Sequence, residues 1–386
     1  MTGIGLIVPV LPVLLQQLDG GSVARVAEIG GWLLFSYAIM QFLCAPIIGS
    51  LSDQFGRRPV LLITLFLLGI DYAIMAWAPT LLWLFVGRVI SGIMGASWTA
   101  ANSSIADVVS TQDKAKYFGF LGGAGAAGFV LGPAIGGLLG QFDERLPFIA
   151  ASILALSGAV VGYFKLEETL PLTKRRQFSL ARANPVGSLI QMSKNHLVLG
   201  FLTVIFFLQL AAQTQISVFT YYLIERFSWS ELQIGLSVAL FGITIAFMQG
   251  VMTGKVTALI GNERTGFWSI LLGGPAYLVL AFAPNGWVIL LGIIYGSVGA
   301  LTFPAMQAMM SSETAEDAQG ELQGALASAI GLTSIIGPII MTMTFRYFAD
   351  DVGLYFPGAP FVLAALFCLV ALVVYRSTTN KRKQSS

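Results

Sequence analysis

The amino-acid sequence predicts an all-α membrane protein, with twelve transmembrane helices in two pseudo-symmetric six-helix bundles. Three observations carry that prediction. Of 386 residues, 56% are hydrophobic and only 10% charged, and the mean hydropathy is +0.80. A soluble domain is about a quarter charged, so a water-facing surface would need far more Lys, Arg, Asp and Glu than this chain has. The apolar residues also fall into stretches of membrane-crossing length, and features of the first half recur in the second.

Roughly 20 apolar residues cross the hydrocarbon core. Stretches of that kind run over 3–18, 28–50, 59–78, 81–104, 117–140, 147–165, 197–224, 232–258, 265–283, 286–307, 319–345 and 357–375. Pro59, Pro79, Pro147, Pro284 and Pro357 punctuate their ends, where proline restricts the preceding residue and removes a donor. The first stretch is irregular. It contains Pro9 and Pro12, and at ~1.5 Å per residue it reaches only about 25 Å of a ~30 Å core. Helix 1 is therefore expected to be truncated. No separate cleavable leader is expected, because the first apolar run is followed by more of the same.

Orientation follows from counting Lys and Arg in the loops, which accumulate on the cytoplasmic side. Of the 21 basic residues, 16 fall on one side, four on the other, and Arg88 lies within a span. Both termini are then cytoplasmic, in a multi-pass protein of the inner (plasma) membrane. The hydrophilic stretch 166–196 separates the sixth and seventh spans and reads as a cytoplasmic linker. Residues 1–165 form the first bundle, 197–375 the second, and 376–386 a basic cytoplasmic tail.

Other classes are disfavoured. A net charge of +2, with the basic residues spread over loops, does not suggest a nucleic-acid partner. Cys44 and Cys368 lie in separate apolar runs, and His196 is the single histidine. Neither a disulfide framework nor a metal site follows from them. With one histidine and no phosphate-binding loop, there is no residue set for an enzyme and no cofactor is expected. The partners expected are the lipid bilayer, a small amphiphilic substrate and protons, with the chain a monomer.

The halves echo each other at two places. "GFVLGPAIGG" (Gly128 to Gly137) and "GLTSIIGPII" (Gly331 to Ile340) both set Gly-Pro among small residues. "GSLSDQFGRRPV" (Gly49 to Val60) is matched by "GKVTALIGNERT" (Gly254 to Thr265), with the two glycines seven apart in both. Two related halves suit a carrier that exposes a central site to either side of the membrane in turn.

These stretches carry a family resemblance. "GSLSDQFGRRPV" resembles the loop 2–3 signature of the major facilitator superfamily, "GRVISGIMGA" (Gly87 to Ala96) its helix 4 signature, and "GFVLGPAIGG" the helix 5 signature of its antiporters. "GIGLIVPVLP" (Gly3 to Pro12), "SSIADVVSTQDKAKYFG" (Ser103 to Gly119), "FPAMQAMMS" (Phe303 to Ser311) and "QGELQGALAS" (Gln319 to Ser328) are similar to the tetracycline/proton antiporter branch. The resemblance covers nearly the whole chain. It implies the major facilitator fold and export of small amphiphilic compounds in exchange for protons. A facilitator or importer of a small metabolite would use the same fold. The chain departs from the branch in two helices. The helix 1 aspartate that precedes the "GIGL" stretch is not in this sequence, and Gly273, Gly274 and Pro275 stand where helix 9 has another.

Candidate site residues fall into four groups. Asp71 and Arg88 lie at similar depth on adjacent spans, each about seven residues from the outer end, and ionisable groups at that depth are costly. They read either as a static ion pair or as a proton- or substrate-binding acid tuned by its arginine; the resemblance matches both to family positions. Asp53, Arg57 and Arg58 put fixed charges at the cytoplasmic face. They read either as a solvated loop or as a gate in which Arg57 pairs with Asp107, as the resemblance also implies. Gly128, Gly132 and Gly136 recur every four residues with Pro133 among them. That row permits close helix packing, and the resemblance adds a seal against leakage between the halves. Finally, Gln209, Gln213, Gln249 and Gln307 are neutral polar groups within apolar runs. An amide facing lipid leaves unsatisfied groups in hydrocarbon, so these are candidates for a substrate cavity; Gln209 and Gln213 are spaced to share a helix face.

Overall fold

The structure is a computed structural model that describes residues 1–109, 113–176, 195–315, 318–350 and 354–385. Most of the stretch expected to be the linker, 177–194, lies outside the described residues. Among those described there are helices and short connections but no strand. Ten helical stretches among the described residues are long and apolar enough to cross a membrane.

Two regions depart from one helix per apolar run. The first run forms two short helices, α1 (Thr2–Ile7) and α2 (Leu11–Asp19). Pro9 lies in the break, and Pro12 sits in the first turn of α2, where its missing N–H has no intrahelical partner to lose. The second departure is a helical run of 51 residues, Glu231–Ala281, where the sequence suggests two spans. It comprises α11 (Glu231–Phe247), a π-helical turn (Met248–Met252) and α12 (Thr253–Ala281). At ~1.5 Å per residue, a run of that length far exceeds one crossing. Gly261 interrupts it with φ 79° and ψ 162°.

The same device separates α3 (Val23–Phe55) from α4 (Arg57–Ala76), where Gly56 has φ 102° and ψ 158°. Only glycine enters that backbone region readily. Gly56 and Gly261 are the second glycines of the two matched loop stretches, so the sequence echo is realised as one backbone conformation used twice.

The chain divides into two compact units. The first comprises Met1–Gly21, Leu33–Pro185 and Ser230–Ala239; the second comprises Ser22–Trp32, Val186–Trp229 and Leu240–Ser386. The start of α3 thus belongs to the second unit and the start of α11 to the first. In the first unit α5 (Leu81–Gly95), α6 (Trp98–Val108), α7 (Lys114–Gly140) and α8 (Leu146–Lys165) complete the set. Small residues set its packing: Gly158 faces Leu65, Gly162 faces Leu62, and Ser152 Oγ donates to the Gly69 carbonyl at 2.7 Å.

The second unit contains α9 (His196–Ser217), α10 (Phe219–Phe227), α13 (Gly286–Gly296), α14 (Thr302–Ser312), α15 (Gln319–Ala349) and α16 (Ala359–Ser385). Asn195 caps α9, its side chain accepting from the backbone N–H of Leu197 and Val198, as an N-cap amide does. Asn285 caps α13 through the N–H of Val288. Phe201, Ile270, Met306, Met310, Leu322 and Tyr375 form the buried core of this unit.

The two glycines of the second matched stretch make opposite predictions. A Cβ at either Gly254 or Gly261 meets nothing within 4 Å, so only the backbone decides. Gly261→Ala should destabilise by ~1–3 kcal/mol, the cost of holding alanine in a glycine-only conformation. Gly254→Ala, in helical backbone, should be neutral or stabilise by up to ~1 kcal/mol. Thermal unfolding midpoints of the purified protein in detergent check both; equal midpoints would contradict the assigned break.

Candidate functional site

α4 carries Asp71 into the apolar interior of the first unit, where it is 1% exposed. The close approach of α5 depends on Gly87, since a Cβ there would lie 3.1 Å from Asp71 Oδ1. One carboxylate oxygen accepts a hydrogen bond from Ser91 Oγ; Oδ1 is buried and accepts none. Arg88, 6% exposed, does not form an ion pair with Asp71. Its Nη2 donates instead to Met75 Sδ at 3.1 Å. Arg88 and Ser91 line a cavity of about 400 Å³ in this unit, together with Tyr37, Gln41 and Tyr72. Gln41 Nε2 donates to Tyr37 Oη and to the Gly95 carbonyl, both at 3.3 Å.

Ser91 and Gln41 are not among the residues that the sequence singles out, although both carry a signal. Ser91 stands three residues after Arg88 and so on the same helix face. Gln41 is an amide in an apolar run, like the glutamines of the second half.

At the opposite end of α4, Arg57 is 7% exposed and surrounded by acceptors. Its Nη1 lies 2.6 Å from Asp53 Oδ1 and 2.6 Å from Ser52 Oγ, and its Nε lies 3.1 Å from Asp107 Oδ2. Asp107 comes from the end of α6, so the guanidinium ties α3, α4 and α6 together. Arg58 turns away from this cluster. Its Nη2 donates to the Tyr163 carbonyl at 2.7 Å, and its guanidinium lies 5.4 Å from the centre of the Tyr163 ring.

The glycine row of α7 seats α1. A Cβ at Gly132 would lie 2.8 Å from Gly5 Cα, one at Gly128 2.5 Å from Thr2 Oγ1, and one at Gly136 would collide with the Leu6 carbonyl. The start of α11 meets a different part of α7. Gly235 packs on the carbonyl of Pro133, and Gly137 on that of Glu231.

The glutamines of the second unit separate. Gln209, Gln215 and Gln249 line a cavity of about 210 Å³ with Ser269, Tyr277 and Thr302. Gln213, 5% exposed, donates instead to Ser334 Oγ of α15 at 3.3 Å, so it does not share a cavity wall with Gln209. Gln307 donates to Gln323 Oε1 at 3.3 Å and also lies outside the cavity lining. Gln249 sits in the π-helical turn and reaches the Ala300 carbonyl at 3.5 Å. Gln215 Oε1 is buried and accepts no hydrogen bond.

Comparison with known proteins agrees with this architecture. The sequence model of the Major Facilitator Superfamily matches residues 1–221 and 201–386. Tetracycline resistance protein class C of Escherichia coli is 39% identical over 384 residues, covering 100% of this chain and 95% of the relative. Tetracycline resistance protein class G of Vibrio anguillarum is 37% identical, covering 97% and 93%. Among solved structures, the nucleoside transporter NupG superposes with a TM-score of 0.73 at 14% identity, covering 98% of this chain and 98% of that one. The human organic anion transporter MFSD10 gives 0.70 at 24% identity, covering 97% and 95%. A multi-pass membrane chain with two compact helical units, matched along its whole length by one family and similar throughout to tetracycline resistance proteins, belongs to the Major Facilitator Superfamily.

Proposed function

We propose that this chain is a twelve-helix secondary active transporter of the inner membrane, with both termini cytoplasmic. It exports tetracycline or a related small amphiphilic compound in exchange for protons, by alternating access. In this reading two six-helix bundles are joined by the linker 166–196, and α1 with α2 supplies the first crossing. The 51-residue run supplies two more, turning at Gly261. The names of these two relatives, both tetracycline resistance proteins, support the substrate class.

The observation that carries the proton coupling is Asp71. Its carboxylate is buried in a membrane helix beside a cavity, with one oxygen bonded to Ser91 and the other unpartnered. A carboxylate in hydrocarbon needs a counter-charge, a full set of donors, or a proton. Here the set of donors is incomplete, so the group is suited to exchanging a proton. The Arg57, Asp53 and Asp107 cluster acts as the cytoplasmic gate, since a partly desolvated ion pair can hold a conformation and still be broken.

A facilitator or importer of a small metabolite is the second reading. It is favoured by the second unit, whose mostly apolar cavity carries amides and hydroxyls but no carboxylate.

In proteoliposomes under an imposed pH gradient, Asp71→Asn should abolish gradient-driven tetracycline flux while weakening binding less. Full gradient-driven flux in that variant would sink the coupling assignment, and a wild-type rate independent of the gradient would favour the facilitator. Separately, Arg57→Ala and Asp107→Ala should each cut transport severely without reducing the amount of protein in the membrane, because apolar spans drive insertion. The exchange Arg57→Asp with Asp107→Arg should recover part of the rate, and normal transport by both single variants would remove the gate.

A further inference from the structure

The helix that carries Asp71 is held at both ends by charges that flank one neighbour. α8 runs antiparallel to α4: Leu62 faces Gly162, Leu65 faces Gly158, and Gly69 faces Leu156. Just past the end of α8, the Glu168 carboxylate accepts hydrogen bonds from the backbone N–H of Arg57 at 2.8 Å and of Arg58 at 3.3 Å. The first amides of a helix have no partner within it, and Gly56 provides no side chain to cap α4. Room for Glu168 exists because residue 56 is glycine; a Cβ there would collide with Glu168 Oε2. At the other end Arg145, which immediately precedes α8, donates through Nη1 to the carbonyls of Ala76 at 2.9 Å and Ala78 at 3.3 Å. An anion at the N-terminus and a cation at the C-terminus both complement the helix dipole. Between them Ser152 Oγ donates to the Gly69 carbonyl at 2.7 Å, two residues from Asp71.

We propose that Arg145, Ser152 and Glu168 are positioning residues that make α8 a splint for α4, fixing its axial register and so the depth at which Asp71 meets Ser91. The functional part rests on the assignment of Asp71 as the coupling acid. A slip of one residue moves a helix by ~1.5 Å, enough to break the Ser91 hydrogen bond. On the α5 side Gly87 has no side chain to block sliding, so the α8 contacts, together with the Arg57 cluster at the start of α4, set the register.

Glu168 is built to remain charged. Burial pushes its carboxyl up, but hydrogen bonds from Leu170, Arg57 and Arg58 and the Arg175 guanidinium 3.7 Å away outweigh that and hold it below the usual carboxylate range. A depressed acid contributes fully above its ordinary range and is lost only as pH falls through its own folded value. The splint therefore stays intact across the neutral range in which a transport gradient is imposed.

The test compares Glu168→Ala and Arg145→Ala with Glu168→Asp and Arg145→Lys in the full chain in liposomes. Hydrogen–deuterium exchange should rise several-fold at the amides of Arg57 and Arg58 in Glu168→Ala, and in the last turn of α4 in Arg145→Ala. The pH profile of gradient-driven tetracycline flux should shift in the same direction in both, and the conservative variants should restore it. Unchanged exchange would show that the end contacts do not hold α4. Faster exchange with a uniform loss of rate and an unshifted pH profile would reduce α8 to ordinary support and overturn the positioning role. Should an alanine variant fail to insert, Glu168→Gln and Arg145→Gln carry the same comparison with smaller side-chain change. If Asp71→Asn keeps full gradient-driven flux, the coupling assignment fails on its own account, while the exchange measurement still judges the splint.

Discussion

Hydrocarbon supplies no hydrogen bonds, so a carboxylate in the middle of a membrane helix has to be served by its neighbours. Most of the first unit can be read as a response to Asp71. Gly87 lets α5 come close enough for Ser91 to reach the carboxylate, and the cavity lined by Arg88, Tyr37 and Gln41 opens alongside it. Arg57 shows the contrasting solution. Three side chains surround its guanidinium within hydrogen-bond reach, so its charge is matched and its position fixed. Asp71 has one oxygen served and one not. A matched charge holds structure, whereas a carboxylate with one oxygen unpartnered has hydrogen-bonding capacity left over.

Length and composition made the membrane class legible, because apolar runs and loop charges follow directly from the cost of polar groups in lipid. The paired glycines were legible too, since Gly56 and Gly261 occupy a backbone region that few other residues enter. What counting along a span cannot supply is rotation about the helix axis. Asp71 and Arg88 sit at comparable depth, yet the arginine's N–H goes to Met75. Gln213 and Gln209 share a helical spacing, yet Ser334 takes one and the cavity the other. Arg58, next to Arg57 in sequence, points about a hundred degrees further round the helix by the 3.6-residue repeat and meets Tyr163 instead. The break at Val8 to Val10 was hidden for another reason: two prolines in a short apolar run are compatible with a kinked helix or a divided one.

The row Gly128, Gly132 and Gly136 illustrates the limit of a motif. Its spacing establishes a smooth face, but any helix could lie there. In the structure that place is taken by α1, while α11 lies on the carbonyls and Cα atoms around Pro133 and Gly137. Small-residue packing thus serves two neighbours on adjoining faces of α7, and a larger residue at Gly132 would displace α1 rather than α11.

The starts of α3 and α11 extend the echo between the halves into packing. Each folds with the unit that does not contain the rest of its helix, and each is seated by glycine. Gly235 admits the Pro133 carbonyl within the first unit; Gly30 and Gly31 leave no room for a Cβ beside Tyr221 and Thr342 within the second. The chemistry of the two joints differs. The α11 joint is made by backbone against backbone. The α3 joint adds an ion pair between Glu28 and Arg346, with the arginine side chain 46% exposed. An exposed pair contributes little to stability and is screened by salt. The α3 joint therefore rests on the close fit at Gly30 and Gly31 rather than on its ion pair.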